Sequence, residues 1–413
     1  MAVPSVSRTR HRVRHQLPAV MMRSGTSKGL FLHRKDLPRD QEEWAKVLLS
    51  VMGSRYGDKK QIDGIGGATS TTSKVAVVSK SEREDADVDY TFAQVAVGQE
   101  KVDFSGNCGN MASGVGPFAL DEGLVKVLPG QTEVDIRIYN TNTRKLLIEN
   151  VQVDDEGHFW EFGDCHIGGV KAAGSEIKVQ FVKPAGSMTG ELFPTGERSE
   201  TLAIGNVPPL ENMCVQVTLI DAANPFVFVD SRSLPLSYHT EGPAASSSLA
   251  LVEAIRCAGA VKMGLATDPI SAGLIGGTPK IAVVSAPPFD LTGAGPDIKV
   301  QSFSMGKPHP TLQLTGAVCL ASAISTPGTI PHQLSKLDTV LTPATTPPYE
   351  QELHESFFSP EESLFEDKKV KIQHASGNID AVVRKDILGA NVESVSLSRT
   401  ARRIFSGNVL FDI

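Results

Sequence analysis

Apolar and β-branched residues in this chain come in short runs that are separated by Gly, Pro, Asn and Asp. In the first half of the chain such runs cover 75–79, 87–97, 133–139 and 146–153. Some runs alternate with polar residues and others are continuous, and both patterns are typical of β-strands. We therefore predict a β-rich protein with strands at these four places.

One segment departs from this pattern. It reads "SGNCGNMASGVGPFALDEGLV" and begins at Ser105. Its first residues favour a loop, and small residues at helical spacing follow, so we predict a helix that begins near Asn110. The second half contains a similar segment, "LQLTGAVCLASAI". Helices with such small side chains can be packed closely, which predicts a sheet wrapped around a helix, once in each half.

The chain also contains an internal repeat. "SKVAVVS" at 73–79 recurs as "PKIAVVSAPP" at 279–288, and a pair of glycines precedes each copy. In the same order, "LFLHRKDLP" at 30–38 resembles "VFVDSRSLP" at 227–235. Two similarities in one order indicate two copies of a single β-rich unit. We predict an α+β protein of two similar domains, at 18–197 and 198–399.

The residues before these domains, 1–17, form a basic segment that we expect to be a disordered tail. Its first fifteen residues contain Arg8, Arg10, Arg12 and Arg14 and no acidic residue. This composition is compatible with a mitochondrial transit peptide, although a clear amphipathic stripe is missing. We expect a cytoplasmic protein, with the mitochondrion as the alternative.

The overall composition excludes several classes of protein. A net charge of −7 gives no general attraction to nucleic acid or membranes, so an acidic ligand would need positive charge that is concentrated locally. The apolar runs are far shorter than the roughly 20 residues of a membrane span. The cysteines are odd in number and lack CxxC spacing, which predicts neither disulfides nor a zinc site; they are Cys108, Cys165, Cys214, Cys257 and Cys319.

Two glycine-rich segments could suggest a nucleotide site, but neither fits. In "GATSTTSK" the lysine is followed by Val75 and a predicted strand, whereas a phosphate-binding loop requires Ser or Thr there and then a helix. "GIGGAT" lacks the third glycine of a dinucleotide fingerprint. Because metal-ligand spacing is also absent from the sequence, we expect catalysis without a cofactor or a metal.

Seven segments, in order, resemble the PrpF family of aconitate and methylaconitate isomerases. The resemblance runs from about residue 18 to the C-terminus and is carried by "MMRSGTSKGLFL" (21–32), "GIGGATSTTSKVAVVS" (64–79), "SGNCGNMASGVGPFAL" (105–120), "PAGSMTGELFPTG" (184–196), "DAANPFVFV" (221–229), "LTGAVCLA" (314–321) and "RTARRIFSG" (399–407). It implies a diaminopimelate-epimerase-like fold, in which two barrel-like β-sheets each enclose a helix and the active site lies in the cleft between them. It also implies that a last strand, about 400–413, returns to the first domain.

The resemblance implies catalytic roles for Lys74 and Cys108. Taken alone, Lys74 reads equally well as a strand-end lysine, and Lys280 at the same place in the repeat fits that ordinary role. Cys108 alone reads as an inert buried thiol, although its glycine and asparagine neighbours favour an exposed loop. A lysine can act as a general base where its surroundings disfavour the charge, and the start of a helix favours a negative charge at Cys108.

The substrate carboxylates need donors, which we expect in several places. The first is the turn "RSGTSKG", whose Arg23, Ser24, Gly25, Thr26, Ser27 and Lys28 could form a carboxylate-binding nest or a plain surface turn. The second is the two helix N-termini, at Asn107, Gly109 and Asn110 and at Thr315 and Gly316. Gly67 and Ser73 complete the set beside Lys74. Asn224 and His309 are weaker candidates, because the first could simply shape a turn and the second could be structural.

These residues can present one thiol and one amine. Alignment of the repeats places Gln313 or Leu314 opposite Cys108, and Cys319 inside the second helix as a core residue, so the two-thiol chemistry of an epimerase is not expected. A proton shift fits better, and we expect cis-aconitate to be converted into trans-aconitate, as in itaconate biosynthesis. Alternatives are 2-methylaconitate isomerisation, a related tautomerisation, or a non-catalytic protein that binds tricarboxylates. The expected partner is the substrate, with a homodimer possible.

Overall fold

The computed structural model describes residues 14–205, 213–290, 294–336, 364–387 and 391–412. The strands of the first half are β1 His15–Ser24, β2 Ser27–His33, β3 Lys74–Lys80, β4 Val88–Val95, β5 Val102–Asp103, β6 Glu133–Asn140, β7 Lys145–Gln152, β8 Ile177–Val182 and β9 Glu200–Ile204. Those of the second half are β10 Met213–Ala222, β11 Asn224–Asp230, β12 Lys280–Ser285, β13 Ile298–Ser304, β14 Lys307–Pro308, β15 Phe365–His374, β16 Gly377–Asp386, β17 Val392–Arg399 and β18 Ala401–Phe411.

The helices are fewer and shorter. They are α1 Trp44–Met52, α2 Gly109–Ala112, α3 Val115–Asp121, α4 Leu236–Glu241, α5 Ser246–Lys262, α6 Pro269–Leu274, α7 Leu314–Ile324 and α8 Ile330–Leu334. None of the described helices has the length and apolar character that a membrane span requires.

The strands of the two halves pair in the same order. In the first half β1 and β2 are antiparallel, β2 and β3 parallel, β3 and β4 antiparallel, and β4 and β6 parallel, after which β7 and β8 follow antiparallel. In the second half β10, β11, β12, β13, β15, β16 and β17 repeat this series without a change. Identical pairing over seven strands confirms the two similar units that the internal repeat predicts.

Three further pairings connect the halves into one hydrogen-bonded sheet. β8 pairs with β17, so the sheet of the first half continues into that of the second. β18 pairs with β1 along its whole length, and β9 pairs with β10. The last strand of the chain therefore lies in the first half, next to the first strand. The exact division of the chain at 197 and 198 remains a prediction.

The sheet is covered on both faces in each half, which explains the continuous apolar run in β3. Ala76 and Val78 face inward and pack with α2 and α3, while Val75 and Val77 face outward and pack with α1. In the second half β12 alternates in the same way between the central helix α7 and the outer helix α5. A strand buried on both faces needs apolar residues at every position.

The sequence predictions for the fold are largely confirmed. All four predicted strands are present within one or two residues, and helices begin at Gly109 and Leu314, surrounded by sheet. The predicted tail differs at its end, because β1 begins at His15 and pairs with Phe411, so residues 15–17 belong to the sheet. Residues 1–13, with three of the four arginines, lie outside the described residues.

Candidate active site

A cavity lies where the two halves meet, at the starts of β3 and β12 and of the central helices α2 and α7. Its lining comes from both halves and consists of Ser27, Ser70, Lys74, Phe92, Gln94, Asp103, Gly106, Asn107, Cys108, Gly109 and Asn110, together with Gly277, Lys280, Ser304, Met305, His309, Gln313, Leu314 and Thr315. The cavity has a volume of about 40 Å³, which is room for a few water molecules.

Lys74 is the first residue of β3 and is buried in this cavity. Its ammonium donates a hydrogen bond of 2.7 Å to Oε1 of Gln94, its partner on β4. The same nitrogen lies 4.9 Å from the centre of the Phe92 ring. A carbonyl oxygen and an aromatic face both suit a positive charge, so the surroundings hold the amine at a fixed place on the cavity wall.

The loop before Lys74 is held by a small network of buried amide and hydroxyl groups. Gln94 donates through Nε2 to the carbonyl of Ser73, at 2.8 Å. The Ser73 hydroxyl accepts from Nε2 of Gln61, at 2.7 Å, and donates to the carbonyl of Val95. Gln61 also accepts from the backbone of Ala68. Ser73 thus positions Lys74 from behind and does not line the cavity.

Cys108 is the N-cap residue of α2 and is buried. It packs in the core on the inner face of the sheet, whereas α1 covers the outer face. Its carbonyl accepts from the hydroxyl of Tyr90, at 3.3 Å. The preceding residue, Asn107, is clamped by Asn224 of the second half, which accepts from the Asn107 N–H at 3.1 Å and donates to its carbonyl at 2.8 Å. Asn224 also reaches Thr315, so the predicted ligand Asn224 is a brace between the halves, behind the cavity wall.

The two central helices meet end to end at the cavity. A Cβ on Gly109 would lie 2.8 Å from Cβ of Leu314, so the absence of a side chain at Gly109 permits this contact. Gln313 is the N-cap of α7, as Cys108 is of α2. Cys319 is fully buried inside α7, as expected for a core residue. The cavity therefore contains one thiol and has a glutamine at the matching place.

Lys280, which the sequence suggested to be an ordinary strand-end lysine, lines the cavity across from Lys74. Burial and the charge of Lys74 lower its pKa to about 8, against the opposing effects of Cys108 and Asp103. Its Nζ lies 3.5 Å from Oγ1 of Thr315 at the start of α7. The loop before it is fixed by the buried Arg256, which donates to the carbonyl of Thr278.

His309 lines the cavity as a neutral ring. Burial is the main cause that lowers its pKa to about 4, and Lys74 and Lys280 contribute. Nδ1 lies 2.6 Å from the carbonyl of Thr311 and 3.2 Å from the N–H of the same residue, so this nitrogen is engaged within the protein. As a neutral ring, His309 carries no charge for a carboxylate near neutral pH.

The turn "RSGTSKG" contributes less to the cavity than the sequence suggests. Only Ser27 of this turn lines it. Arg23 donates to the carbonyls of Thr400 and Gly25 and to the Thr400 hydroxyl, and so it fixes the turn to the junction between β17 and β18. Lys28 is exposed, because side chains alternate along β2. Ser24, Gly25 and Thr26 also lie behind the wall, with Ser24 donating to the carbonyl of Asn110.

Two predicted glycines are packing residues. A Cβ on Gly67 would lie 2.4 Å from Oγ1 of Thr72, inside the loop before β3. A Cβ on Gly316 would lie 2.8 Å from Cζ of Phe226 on β11. The first half reverses this pair, since Gly29 on β2 faces Met111 on α2 and its Cβ would lie 2.7 Å from the methionine methyl group. Strand and helix thus exchange the large and the small residue between the halves.

The structure therefore brings together part of the predicted set. Lys74, Cys108, Ser27, Asn107, Gly109, Asn110, His309 and Thr315 line one cavity. Sequence reasoning missed Gln94, Asp103 and Lys280, of which the repeat could have indicated the last. Within the described ranges, no three His, Cys, Asp or Glu side chains cluster in a way that suits a metal ion.

Comparisons with known proteins agree with this architecture. A family described as PrpF protein matches residues 14–340. The 3-methylitaconate isomerase of Eubacterium barkeri is 37% identical over 95% of this chain and 97% of its own length. The 2-methyl-aconitate isomerase of Cupriavidus necator is 36% identical over 76% and 83%. The putative isomerase YraM of Bacillus subtilis is 40% identical over 94% and 96%.

Solved structures show the same fold. The crystal structure of methylitaconate-delta-isomerase superposes with a TM-score of 0.69, at 34% identity, over 97% of this chain and 96% of the other. A hydroxyproline epimerase from Agrobacterium vitis matches with a TM-score of 0.52 at 11% identity, covering 97% and 94% of the two chains. The predicted epimerase-like fold, with two halves around a shared cleft, is thereby confirmed.

Proposed function

This chain belongs to the PrpF protein family and is an isomerase, and from that premise we propose that it moves the carbon–carbon double bond of an aconitate-type tricarboxylate. The favoured reaction is conversion of cis-aconitate into trans-aconitate without a cofactor. The observation that supports it most is that Lys74 and Cys108, from different elements, both line one cavity between the halves.

An allylic proton shift needs two proton carriers in one cavity. A base removes a proton from the CH₂ group beside one carboxylate, and the electron pair spreads over the former double bond and its conjugated carboxylate as a dienolate. An acid then returns a proton to the far end of the allyl unit. The double bond has moved and no atom is gained or lost. The base must then give up its extra proton and the acid must regain one, either through solvent or by transfer from the first carrier to the second.

Lys74 and Cys108 are both held in fixed positions at the cavity. Lys74 removes the proton and Cys108 delivers one, or the roles are exchanged. Lys74 is held by Gln94 at 2.7 Å, and the backbone at Cys108 is held by Tyr90 and, through Asn107, by Asn224. Fixed positions matter because a proton carrier has to lie within hydrogen-bond reach of the reacting carbon.

The names of the relatives indicate the class of substrate and do not select one member of it. One relative is named for 3-methylitaconate, another for 2-methyl-aconitate, and a 4-oxalomesaconate tautomerase of Pseudomonas putida is 33% identical over 95% of this chain. All are unsaturated polycarboxylates by name. Unsubstituted aconitate, a role in itaconate biosynthesis, a cytoplasmic location and a homodimer are our proposals within that range.

Proton NMR of the protein with cis-aconitate in deuterated water tests the proposal. Migration of the double bond introduces solvent deuterium at the allylic carbon of the product, whereas rotation about an unmoved bond need not do so. We expect Lys74→Met and Cys108→Ser each to reduce turnover by ~100-fold or more, and Cys214→Ser, at an exposed cysteine, to retain it. Unchanged turnover in both active-site variants contradicts the mechanism.

A non-catalytic tricarboxylate-binding role is the alternative from another class. It predicts binding of aconitates with no deuterium incorporation in any of them. Turnover of 2-methylaconitate or 3-methylitaconate with no turnover of aconitate assigns the chain to a different substrate and leaves the proton-shift mechanism in place.

A further inference from the structure

A tricarboxylate brings three negative charges into a cavity that must compensate for them. Arg23 and Lys28, the cations that the sequence offered for this purpose, do not line the cavity: the first is engaged with Thr400 and the second is exposed. Among the described lining residues the side chains that can carry positive charge near neutral pH are Lys74 and Lys280.

The position of Lys280 follows from the internal repeat. It begins β12 as Lys74 begins β3, and β12 lies parallel to β11 as β3 lies parallel to β2. Both lysines line the cavity between the halves, one from each half. The Lys280 ammonium is 3.5 Å from Oγ1 of Thr315, in the first turn of α7, where backbone N–H groups also favour an anion.

The titratable side chains that influence Lys280 come from several elements of both halves. They are Lys74 on β3, Asp103 on β5, Cys108 at the start of α2, Cys319 within α7 and His309 after β14. Asp103 already accepts hydrogen bonds from the backbone and the hydroxyl of Ser105. Lys280 thus has no strong ion pair in the described structure and keeps a charge available for a ligand.

We propose that Lys280 is the residue of the second half that binds a carboxylate of the substrate, across the cavity from Lys74. This inference rests on the proposed function, which supplies the tricarboxylate. It makes the substrate class more specific: the ligand needs carboxylates at both ends, so that one meets the first half and another meets Lys280 and the start of α7.

The charge state of Lys280 gives the proposal a pH signature. With a pKa of about 8 in the free protein, the ammonium is present below this pH and is lost above it. A carboxylate binds the ammonium form, so ligand binding raises the pKa of Lys280 and takes up a proton. Affinity should be constant just below about pH 8 and should fall above it, by up to about tenfold per pH unit, until the pH passes the pKa of Lys280 in the complex.

Binding of propane-1,2,3-tricarboxylate, which has no double bond to move, tests this by calorimetry. We expect Lys280→Met to weaken binding by ~10- to 100-fold, as for the loss of a hydrogen bond to a charged group, and to flatten the dependence above pH 8. Lys280→Arg keeps the charge and should recover part of the affinity. Lys299→Met, at an exposed position on β13, is the matched control with wild-type binding.

Equal affinity of Lys280→Met and the wild type would overturn the proposal. If that variant fails to fold, the wild type still decides: titrations near pH 8 in two buffers of different ionisation enthalpy should show uptake of about half a proton per ligand, and no uptake refutes the role. A protein that binds the tricarboxylate in this way but turns over no aconitate refutes the proposed function alone, whereas turnover with no Lys280 effect refutes this inference alone.

Discussion

Glu149 is a buried carboxyl group whose protonation should set the pH dependence of stability in the first half. It lies on the inner face of β7 and is fully buried. Oε2 accepts from the backbone N–H of Gly116 in the first turn of α3, at 2.8 Å, while Oε1 has no hydrogen-bond partner among the described residues. Burial raises the pKa of Glu149 to about 8, and the bond from Gly116 opposes this only in part.

The sign and size of the effect follow from this shift. Below pH 4.5 the carboxyl is protonated in both the folded and the unfolded protein, so no cost arises. As the pH rises the unfolded chain ionises first, which favours unfolding, and the cost stops growing once the folded protein ionises at about pH 8. The free energy of unfolding therefore falls by ~1.4 kcal/mol per pH unit across this window, or ~5 kcal/mol in all.

Glu149→Gln removes the ionisation and keeps the shape and the acceptor for Gly116. We expect the variant to gain stability relative to the wild type as the pH rises, with the difference in unfolding free energy increasing by ~3 kcal/mol between about pH 5.5 and about pH 7.5. Urea denaturation at both pH values measures it. Glu133→Gln, at an exposed position on β6, controls for the loss of charge. A difference between Glu149→Gln and wild type that is the same at both pH values would refute the reasoning.

Three further predictions concern residues around the cavity. Gln94→Leu removes the acceptor of Lys74 and should lower kcat by ~10-fold or more with a smaller change in KM; steady-state kinetics with an unchanged kcat would contradict this. Gly29→Ala places a Cβ 2.4 Å from the Lys74 carbonyl oxygen and should cost ~1–3 kcal/mol of stability together with activity, which thermal unfolding and assays would show; a wild-type melting temperature argues against it. Arg23→Met should lower stability by ~1–3 kcal/mol through the lost bonds to Thr400 while KM stays near the wild-type value, and the opposite pattern would return Arg23 to the substrate site.

The strands and central helices could be predicted because their cause is local. The middle of β3, residues 75–78, is buried on both faces and is apolar without interruption, and the equivalent β12 has the same pattern. The small residues of α2, α3 and α7 reflect close enclosure by the sheet. In each case the residue types at successive positions predict the element. The internal repeat predicts the same element a second time in the other half.

Apart from His309, the predicted residues that line the cavity lie at or next to the start of a helix or strand. Arg23 was assigned to the substrate because no partner for it is visible in the nearby sequence. Its partner Thr400 is 377 residues away along the chain. Lys28 was assigned to the substrate together with the other donors of its turn. The alternation of side chains along β2 instead leaves Lys28 exposed. Lys280 was undervalued because a strand-end lysine becomes a site residue only when another domain faces it. Such facts depend on how distant segments meet.

In the first half Gly29 on the strand packs against Met111 on the helix, whereas in the second half Phe226 on the strand packs against Gly316 on the helix. Grafting α7 into the first half would bring glycine against glycine and leave a void, while α2 in the second half would force methionine into a phenyl ring. The halves have thus lost interchangeability while retaining a common topology. A chimera built from two first halves or two second halves would preserve each interior, yet it would present either two helix ends capped by Cys108 or none.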